Sequence, residues 1–215
     1  MARLLVFDLD GTLVDSSRDL AAALNAALQR LAPGTPEIPL EVVVGFVGEG
    51  ARLLVERALR HAGNGLPPDE VLPVYFECYG ERLLDTTRLY DGIAEALDDL
   101  AARTLAVLTN KPGPFSRRIL EGLGVASRFA RIWGAGDVPA RKPDPAGLLA
   151  LLGELGASPG ETWMIGDSAI DVRTARAAGV RVAGAEWGLA PEALRDAGPD
   201  RLLAHPREIP ALVAP

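Results

Sequence analysis

The sequence predicts an α/β protein in which a Rossmann-like parallel sheet is interrupted by an inserted all-α helical domain. Three observations lead to this fold class: an apolar segment of β-forming residues begins at Leu4, residues 16–86 carry only helical periodicity, and strand and helix patterns alternate after Thr86. With 215 residues and 48% hydrophobic content, the chain can bury a core of that kind. We therefore expect an α/β core domain formed by residues 1–14 and 87–215, and a helical domain formed by residues 15–86.

The strands of the predicted sheet are short and apolar. The first, Leu4–Phe7, has the bulky side chains of a parallel strand that is buried on both faces, and a turn at Gly11 follows it. Further strands are predicted over residues 105–108, 131–133, 162–165 and 180–183, with helices centred near Leu97, Ile119, Leu149 and Ala175. This alternation indicates right-handed βαβ units with helices on both faces of the sheet.

The inserted segment has a different periodicity. A helix capped by Ser16 or Ser17 carries leucine and alanine at helical spacing until Pro33 and Gly34 end it. Helical segments over residues 40–46, 53–59 and 69–84 follow, separated by glycine-rich turns. Because the insertion comes directly after the first strand, we expect it to lie over the strand ends as a cap, with hinges near residues 14–17 and 85–89.

Composition excludes several classes of partner. The net charge of −7 and the absence of a basic stripe argue against nucleic acid and anionic membranes, whereas a small molecule fits. No run of 18 apolar residues and no leader-like segment occurs, so a cytoplasmic location is expected. The single cysteine, Cys78, cannot form an internal disulfide. The sequence leaves monomer and homodimer open.

Two aspartates, Asp8 and Asp10, lie at the end of the first strand. Side chains alternate along a strand, so both carboxylates point the same way, at the edge where α/β sheets bind ligands. Adjacent carboxylates repel each other unless a cation neutralises them, and hard oxygen ligands suit Mg²⁺. An EF-hand loop is excluded because Leu13 and Asp19 stand where it needs glycine and glutamate. A strand followed by an acidic turn is the plain alternative.

Three more polar groups follow predicted strands. They are the segment Thr109-Asn110-Lys111-Pro112, Lys142 in front of the backbone-restraining Pro143 and Pro145, and Asp167 with Asp171. Lys111 and Lys142 are the only lysines among 22 basic residues, and a lysine can serve as a point charge for phosphate. Taken singly, these groups also fit a capped loop, a solvated lysine and a helix N-cap. Because all of these groups are predicted to lie at the same edge of one sheet, they favour a catalytic site.

These motifs together resemble the haloacid dehalogenase superfamily of phosphatases with a helical cap, and within it the phosphoglycolate phosphatases. The resemblance spans essentially the whole chain. It is carried by the segment DLDGTLVDS from Asp8 to Ser16, by Thr109-Asn110-Lys111-Pro112, by Lys142-Pro143, and by Gly166-Asp167-Ser168 with Asp171.

The resemblance implies a role for each motif residue. Asp8 would attack phosphorus and form an aspartyl-phosphate, while Asp10 would act as general acid and then as general base. Mg²⁺ would be held by Asp8, the backbone carbonyl of Asp10, Asp167 and, directly or through water, Asp171. The phosphoryl group would be bound by the remaining motif residues, Thr109, the Asn110 backbone N–H and Lys142, of which the lysine would also hold Asp8 ionised.

Substrate selection would then come from the helical insertion. The candidates are Gly48, Glu49, Gly50 and Arg52, with Arg52 meeting a substrate carboxylate. Alternatively, the two glycines only shape the start of a helix and the arginine is solvated.

The implied activity is hydrolysis of 2-phosphoglycolate. A phosphatase for a sugar phosphate or another small metabolite is the first alternative, and an isomerase resembling β-phosphoglucomutase is the second, although the insertion has no lysine for it.

Overall fold

The apolar segment Leu4–Phe7 forms the central strand of a six-stranded parallel sheet in the computed structural model, which describes residues 3–213. The strands in chain order are β1 (Leu4–Phe7), β2 (Val14–Asp15), β3 (Arg88–Leu89), β4 (Thr104–Pro112), β5 (Arg131–Ala135), β6 (Thr162–Gly166), β7 (Arg181–Ala185) and β8 (Arg201–Leu203). The order across the large sheet is β5-β4-β1-β6-β7-β8, and β2 pairs with β3 separately. The predicted α/β fold class is confirmed.

Nine α-helices accompany these strands in the described part of the chain. They are α1 (Ser17–Leu31), α2 (Leu40–Val44), α3 (Ala51–His61), α4 (Pro68–Glu81), α5 (Ile93–Asp99), α6 (Gly113–Gly122), α7 (Ala146–Leu155), α8 (Ala169–Ala177) and α9 (Pro191–Ala197). Between residues 3 and 213, none of them combines the length and the apolar content that crossing a bilayer would require.

Alternating side chains of the central strands form two separate apolar layers. Leu5 and Phe7 of β1 pack on one face with α5 and α6, whereas Leu4 and Val6 pack on the other with α7, α8 and α9. All four side chains are fully buried. Burial on both faces explains why β1 has no polar residue before Asp8.

The four helices of residues 17–81 lie on the first of these faces and extend over the carboxyl ends of the strands. Helix α1 packs against α2 and α4, and α3 packs against α4. Residues 16–86 contain no strand, as the periodicity predicts. The boundaries at residues 15 and 86 remain a prediction.

The structure differs from the sequence prediction in two local elements. Strand β4 does not end at residue 108 but continues to Pro112, which pairs with Ala135 of β5 after a register shift. The antiparallel pair β2–β3 was not predicted, because two residues per strand carry no detectable periodicity.

The buried carboxylate of Asp19 joins α1 to the segment that returns to the core. It accepts hydrogen bonds from the backbone N–H and the hydroxyl of both Thr86 and Thr87, at 2.6–3.0 Å. Burial alone would raise the pKa of Asp19, but these donors outweigh it and the pKa is lowered. The residue therefore anchors one of the two predicted hinges.

Replacing Asp19 with alanine should lower the free energy of unfolding by about 2–4 kcal/mol, because four donors lose a charged acceptor. Since the folded pKa of Asp19 is lowered, its contribution is present above the unfolded pKa of about 4 and is lost as the pH falls through the folded value. Urea unfolding at about pH 7 and about pH 3 measures both effects. The control is Asp85→Ala, which removes an exposed carboxylate nearby. If Asp19→Ala lowers the free energy of unfolding by less than about 0.5 kcal/mol, the anchoring role is contradicted.

Candidate active site

The polar motifs meet at the carboxyl ends of three adjacent strands. Asp8 follows β1, the segment Thr109-Asn110-Lys111 ends β4, and Asp167 follows β6. Because β4 and β6 flank β1 on opposite sides, the chain order reverses there, and such a switch point is where α/β sheets bind ligands. Asp8 and Asp10 both line one cavity while Leu9 between them is buried in the apolar core, although β1 itself ends at Phe7.

The ammonium group of Lys142 bridges two carboxylates at this edge. Its Nζ lies 2.9 Å from Asp8 Oδ1 and 2.6 Å from Asp171 Oδ1. All three side chains are buried, with exposed fractions of 3% for the lysine, 10% for Asp8 and 0% for Asp171. Burial opposes the charge of Lys142, but the carboxylates of Asp171 and Asp8 outweigh it and raise its pKa, so the lysine stays a cation.

Asp8 is held through one carboxylate oxygen. Oδ1 accepts hydrogen bonds from the Leu9 backbone N–H at 2.7 Å and interacts with Lys142. Burial raises the pKa of Asp8 to about 6; Lys142 lowers it, and Asp171 adds to the rise. The carboxylate is thus poised between its ionised and neutral forms near neutral pH.

Asp8, Asp167 and Asp171 form a three-carboxylate cluster, which we call the acidic triad. One oxygen of each lies within 4.8 Å of the others. Burial, with Asp171 and Asp8 next, raises the pKa of Asp167 well above its usual range. Gly188 packs so closely that an added Cβ would lie 2.2 Å from Asp167 Cβ. Buried carboxylates that repel one another in a fixed cradle are the donor set that a hard divalent cation such as Mg²⁺ requires.

Both oxygens of Asp171 already have donors. Oδ1 contacts Lys142, and Oδ2 accepts from the Ser168 backbone N–H at 3.2 Å and from its hydroxyl at 2.7 Å. Asp171 and Ser168 thereby form a capping box at the start of α8. Ser168 rather than Asp167 is the N-cap, which leaves Asp167 available to the triad.

Asp10 has a partner that sequence reasoning did not identify. Lys111 Nζ lies 2.9 and 3.0 Å from its two oxygens, and Ser16 donates a hydrogen bond to Oδ1. Ser16 occupies the N-cap position of α1 without capping it, because its hydroxyl is directed to Asp10. The scarcity of lysine was the one sequence signal that pointed to Lys111.

Asn110 connects the inserted helices to the lysine loop. Its side-chain amide donates to the Gly48 carbonyl at 3.0 Å and to the Lys142 carbonyl at 2.9 Å, and its Oδ1 accepts from the Lys142 backbone N–H at 2.9 Å. Thr109 is buried beside it, and its hydroxyl accepts from the Lys111 backbone N–H at 3.2 Å. The side chain of Asn110 is therefore used to fix two loops, and only its backbone is left for a ligand.

A cavity of about 50 Å³ lies between the strand ends and the inserted helices. Its polar lining includes Asp8, Asp10, Thr109, Asn110 and Lys111. Its opposite wall is mainly apolar and aromatic, formed by Leu20, Val47, Ala51, Leu54, Tyr75, Phe76, Tyr79 and Phe115. This volume is several times the space that one water molecule needs, so the cavity suits a small ligand.

Of the four candidate substrate-binding residues in the insertion, two line the cavity and two do not. Gly48 and Gly50 both line the cavity at positive φ, and Gly50 is also the N-cap residue of α3, so both interpretations of the glycines stay open. Glu49 instead pairs with Arg57, and the half-exposed Arg52 pairs with Asp69 and, at 3.0 Å, with Glu56. Neither of the two charged candidates lines the cavity, and the prediction that Arg52 meets a substrate carboxylate receives no support from this geometry.

Comparison with known proteins agrees with this architecture. The profile of the haloacid dehalogenase-like hydrolases matches residues 5–185. A phosphoglycolate phosphatase of Haemophilus influenzae is 38% identical over 195 residues, covering 86% of each chain, and one of Yersinia pseudotuberculosis is 39% identical over 207 residues, covering 94% of this chain and 88% of the relative.

A solved structure has the same fold over nearly its whole length. The crystal structure of a predicted phosphoglycolate phosphatase from Haemophilus somnus 129pt superimposes with a TM-score of 0.92 at 32% identity, covering 99% of this chain and 98% of the other. Family profile, relatives and fold agree over both the sheet and the inserted helices. The chain belongs to the haloacid dehalogenase-like hydrolase family.

Proposed function

We propose that this protein is a Mg²⁺-dependent phosphatase that hydrolyses 2-phosphoglycolate to glycolate and phosphate through an aspartyl-phosphate on Asp8. The observation that carries the proposal is the buried contact of Lys142 with Asp8 and Asp171, beside a third carboxylate. Such an arrangement serves to hold a carboxylate nucleophile against an anionic substrate. The substrate is suggested by the two bacterial phosphoglycolate phosphatases to which the chain is 38% and 39% identical.

In the first step, Asp8 attacks phosphorus in line. Oδ1 is engaged by Leu9 and Lys142, so Oδ2 is the oxygen we assign to the attack. The bond from phosphorus to the ester oxygen breaks as the new bond to Asp8 forms, and protonated Asp10 gives its proton to the leaving alkoxide. The backbone N–H of Asn110, the Thr109 hydroxyl and the Lys142 ammonium stabilise the transferring charge.

In the second step, water attacks the phosphorus of the aspartyl-phosphate. Asp10, now ionised, takes the proton from that water, the bond to Asp8 breaks, and inorganic phosphate leaves. The same residue thus acts as acid and then as base, which requires it to remain close to the position of the ester oxygen.

Mg²⁺ would be held by Asp8, Asp167 and the backbone carbonyl of Asp10, with Asp171 beside it or ligating it through water. When bound, the ion would offset the repulsion between the anionic nucleophile and the anionic phosphoryl group.

Residues 15–86 act as a cap in this proposal. The contact of Asn110 with Gly48 supports closure of that segment over the site, because one amide then touches both the cap and the loop of Lys142. Closure would exclude water from the phosphoryl group. A phosphatase for another small phosphoester is the alternative, and an isomerase resembling β-phosphoglucomutase is the second.

Replacing Asp8 with asparagine should reduce kcat at least about a thousandfold, because the nucleophile is removed. Phosphate release from 2-phosphoglycolate, glucose 6-phosphate and a nucleoside monophosphate, with and without Mg²⁺, measures it. Asp137→Asn is the matched control, since that carboxylate pairs with Arg117 away from the triad. Mg²⁺-dependent turnover by Asp8→Asn at more than about a tenth of the wild-type rate would contradict the assignment.

Removing one acid from the triad should change how the fold responds to metal. With Mg²⁺ at about 100 times its dissociation constant, the wild type should gain about 5–10 °C in thermal midpoint. Asp167→Asn should lose this gain while its metal-free midpoint is unchanged or higher, because burial and its neighbours already disfavour the charge on Asp167. Asp137→Asn should keep the gain, and an equal gain in Asp167→Asn would contradict the metal site.

The pH dependence of the metal-free protein has a definite sign. The pKa of Asp8 is raised in the fold to about 6, so the folded state binds more protons than the unfolded state between about pH 4 and 6. Stability from this group is therefore lost as the pH rises through that window. Thermal unfolding in EDTA should show this loss of stability, and Mg²⁺ should diminish it. If the thermal midpoint of the metal-free protein instead rises over the same pH range as Asp8 ionises, the raised pKa of Asp8 is contradicted.

A further inference from the structure

Lys111 is a buried cation to which the proposed reaction gives no task. It lies in the last part of β4, and its side chain is 3% exposed. Its Nζ contacts both oxygens of Asp10, at 2.9 and 3.0 Å, and lies 4.6 Å from the centre of the Tyr79 ring, which α4 contributes. Burying an ammonium group costs free energy unless acceptors surround it, which suggests that Lys111 has a function at this position.

Within the described residues, Lys111 is the only cationic side chain that lines the cavity. Lys142 contacts two carboxylates of the acidic triad and does not line the cavity, and Arg52 lies outside the cavity on the exposed side of α3. An anionic group of a ligand in this cavity, other than the phosphoryl group itself, therefore has one positive partner.

The ammonium has donors to spare for such a group. A lysine carries three N–H donors, of which Asp10 occupies part and the face of Tyr79 covers one side. Tyr75 stacks on Tyr79 at 5.9 Å, and Phe115 packs edge-on against it at 5.4 Å. Apolar walls of this kind exclude water and strengthen a contact between the ammonium and an anion.

The position of Lys111 also fixes how far that anion lies from the ester oxygen. In the proposed reaction Asp10 must reach the ester oxygen, and Lys111 is in direct contact with Asp10. A group bound by Lys111 is therefore close to the ester oxygen, as a carboxylate separated from it by a single carbon would be. Among the described residues that line the cavity, there is no second cation for an anion that lies farther away.

We propose that Lys111 is the residue that selects the substrate, by binding a carboxylate one carbon away from the phosphoester oxygen. This inference rests on the proposed phosphatase function and adds to it the residue that recognises the carboxylate of the substrate. It replaces Arg52 in that role.

The test compares two substrates of nearly equal size on two proteins. The substrates are 2-phosphoglycolate and its carboxamide, which lacks only the negative charge, and the proteins are the wild type and Lys111→Met. We expect the wild type to favour the carboxylate by at least about 30-fold in kcat/KM. In Lys111→Met the preference should fall to about threefold or less, because the carboxylate has lost its partner.

A role confined to positioning Asp10 gives a different result. It would lower kcat for both substrates alike and leave their ratio unchanged, which would overturn the inference. Lys111→Gln provides the same comparison with a polar side chain that can still donate to Asp10, should the methionine variant fail to fold. Arg52→Met is the third protein, and collapse of the preference in that variant instead of Lys111→Met would also overturn the inference.

Binding without turnover gives an independent readout. In an Asp8→Asn background, calorimetry should show tighter binding of 2-phosphoglycolate than of the carboxamide, and Lys111→Met should abolish the difference. Hydrolysis of both esters at equal rates by the wild type would refute the role of Lys111 and leave the phosphatase intact. Hydrolysis of neither, with Mg²⁺ present, would refute the proposed function itself.

Discussion

The contact of one buried ammonium with two buried carboxylates is the constraint on which the rest of the site depends. Without Lys142, the acidic triad would hold three buried carboxylates within 4.8 Å of one another with no cation beside them. Removing one partner from such a buried arrangement costs about 3–5 kcal/mol, because the charges left behind are uncompensated. Three surrounding features hold this contact in place. The backbone N–H and carbonyl of Lys142 both form hydrogen bonds with the Asn110 side chain. Asp171 is fixed by the capping box of α8, and Asp8 is fixed by a hydrogen bond from the Leu9 N–H.

The same arrangement links the inserted helices to the chemistry. Asn110 is the shared element, because its amide touches Gly48 of the insertion and the loop of Lys142 at once. On the other side of the cavity, Tyr79 from α4 covers Lys111, which in turn holds Asp10. Movement of the helices would therefore break contacts at both Asn110 and Lys111, and in the proposed mechanism this would couple cap closure to reactivity.

Much of the fold and the site could be predicted because the relevant signals are local. The apolar run Leu4–Phe7 predicts β1 and the position of Asp8 at its end. The partnership of Lys142 with Asp8, a 2.9 Å contact in the structure, is implied only by the family resemblance of the motifs. The features that escaped prediction depend on tertiary contacts. The reach of Lys111 to Asp10 follows from the continuation of β4 to Pro112, which pairing with β5 produces and propensity does not reveal. The role of Arg52 toward a substrate carboxylate stays a prediction, and the structure shows its side chain paired on the surface with Asp69 and Glu56.

The central claim is that phosphoryl transfer passes through Asp8 in two in-line displacements, and the stereochemical course at phosphorus tests it most directly. The measurement uses an isotopically chiral phosphate monoester and follows transfer of its phosphoryl group to an alcohol acceptor. Each in-line displacement inverts the configuration, so transfer through an aspartyl-phosphate predicts overall retention. Overall inversion would mean a single direct displacement by the acceptor, and would contradict the role of Asp8 as nucleophile.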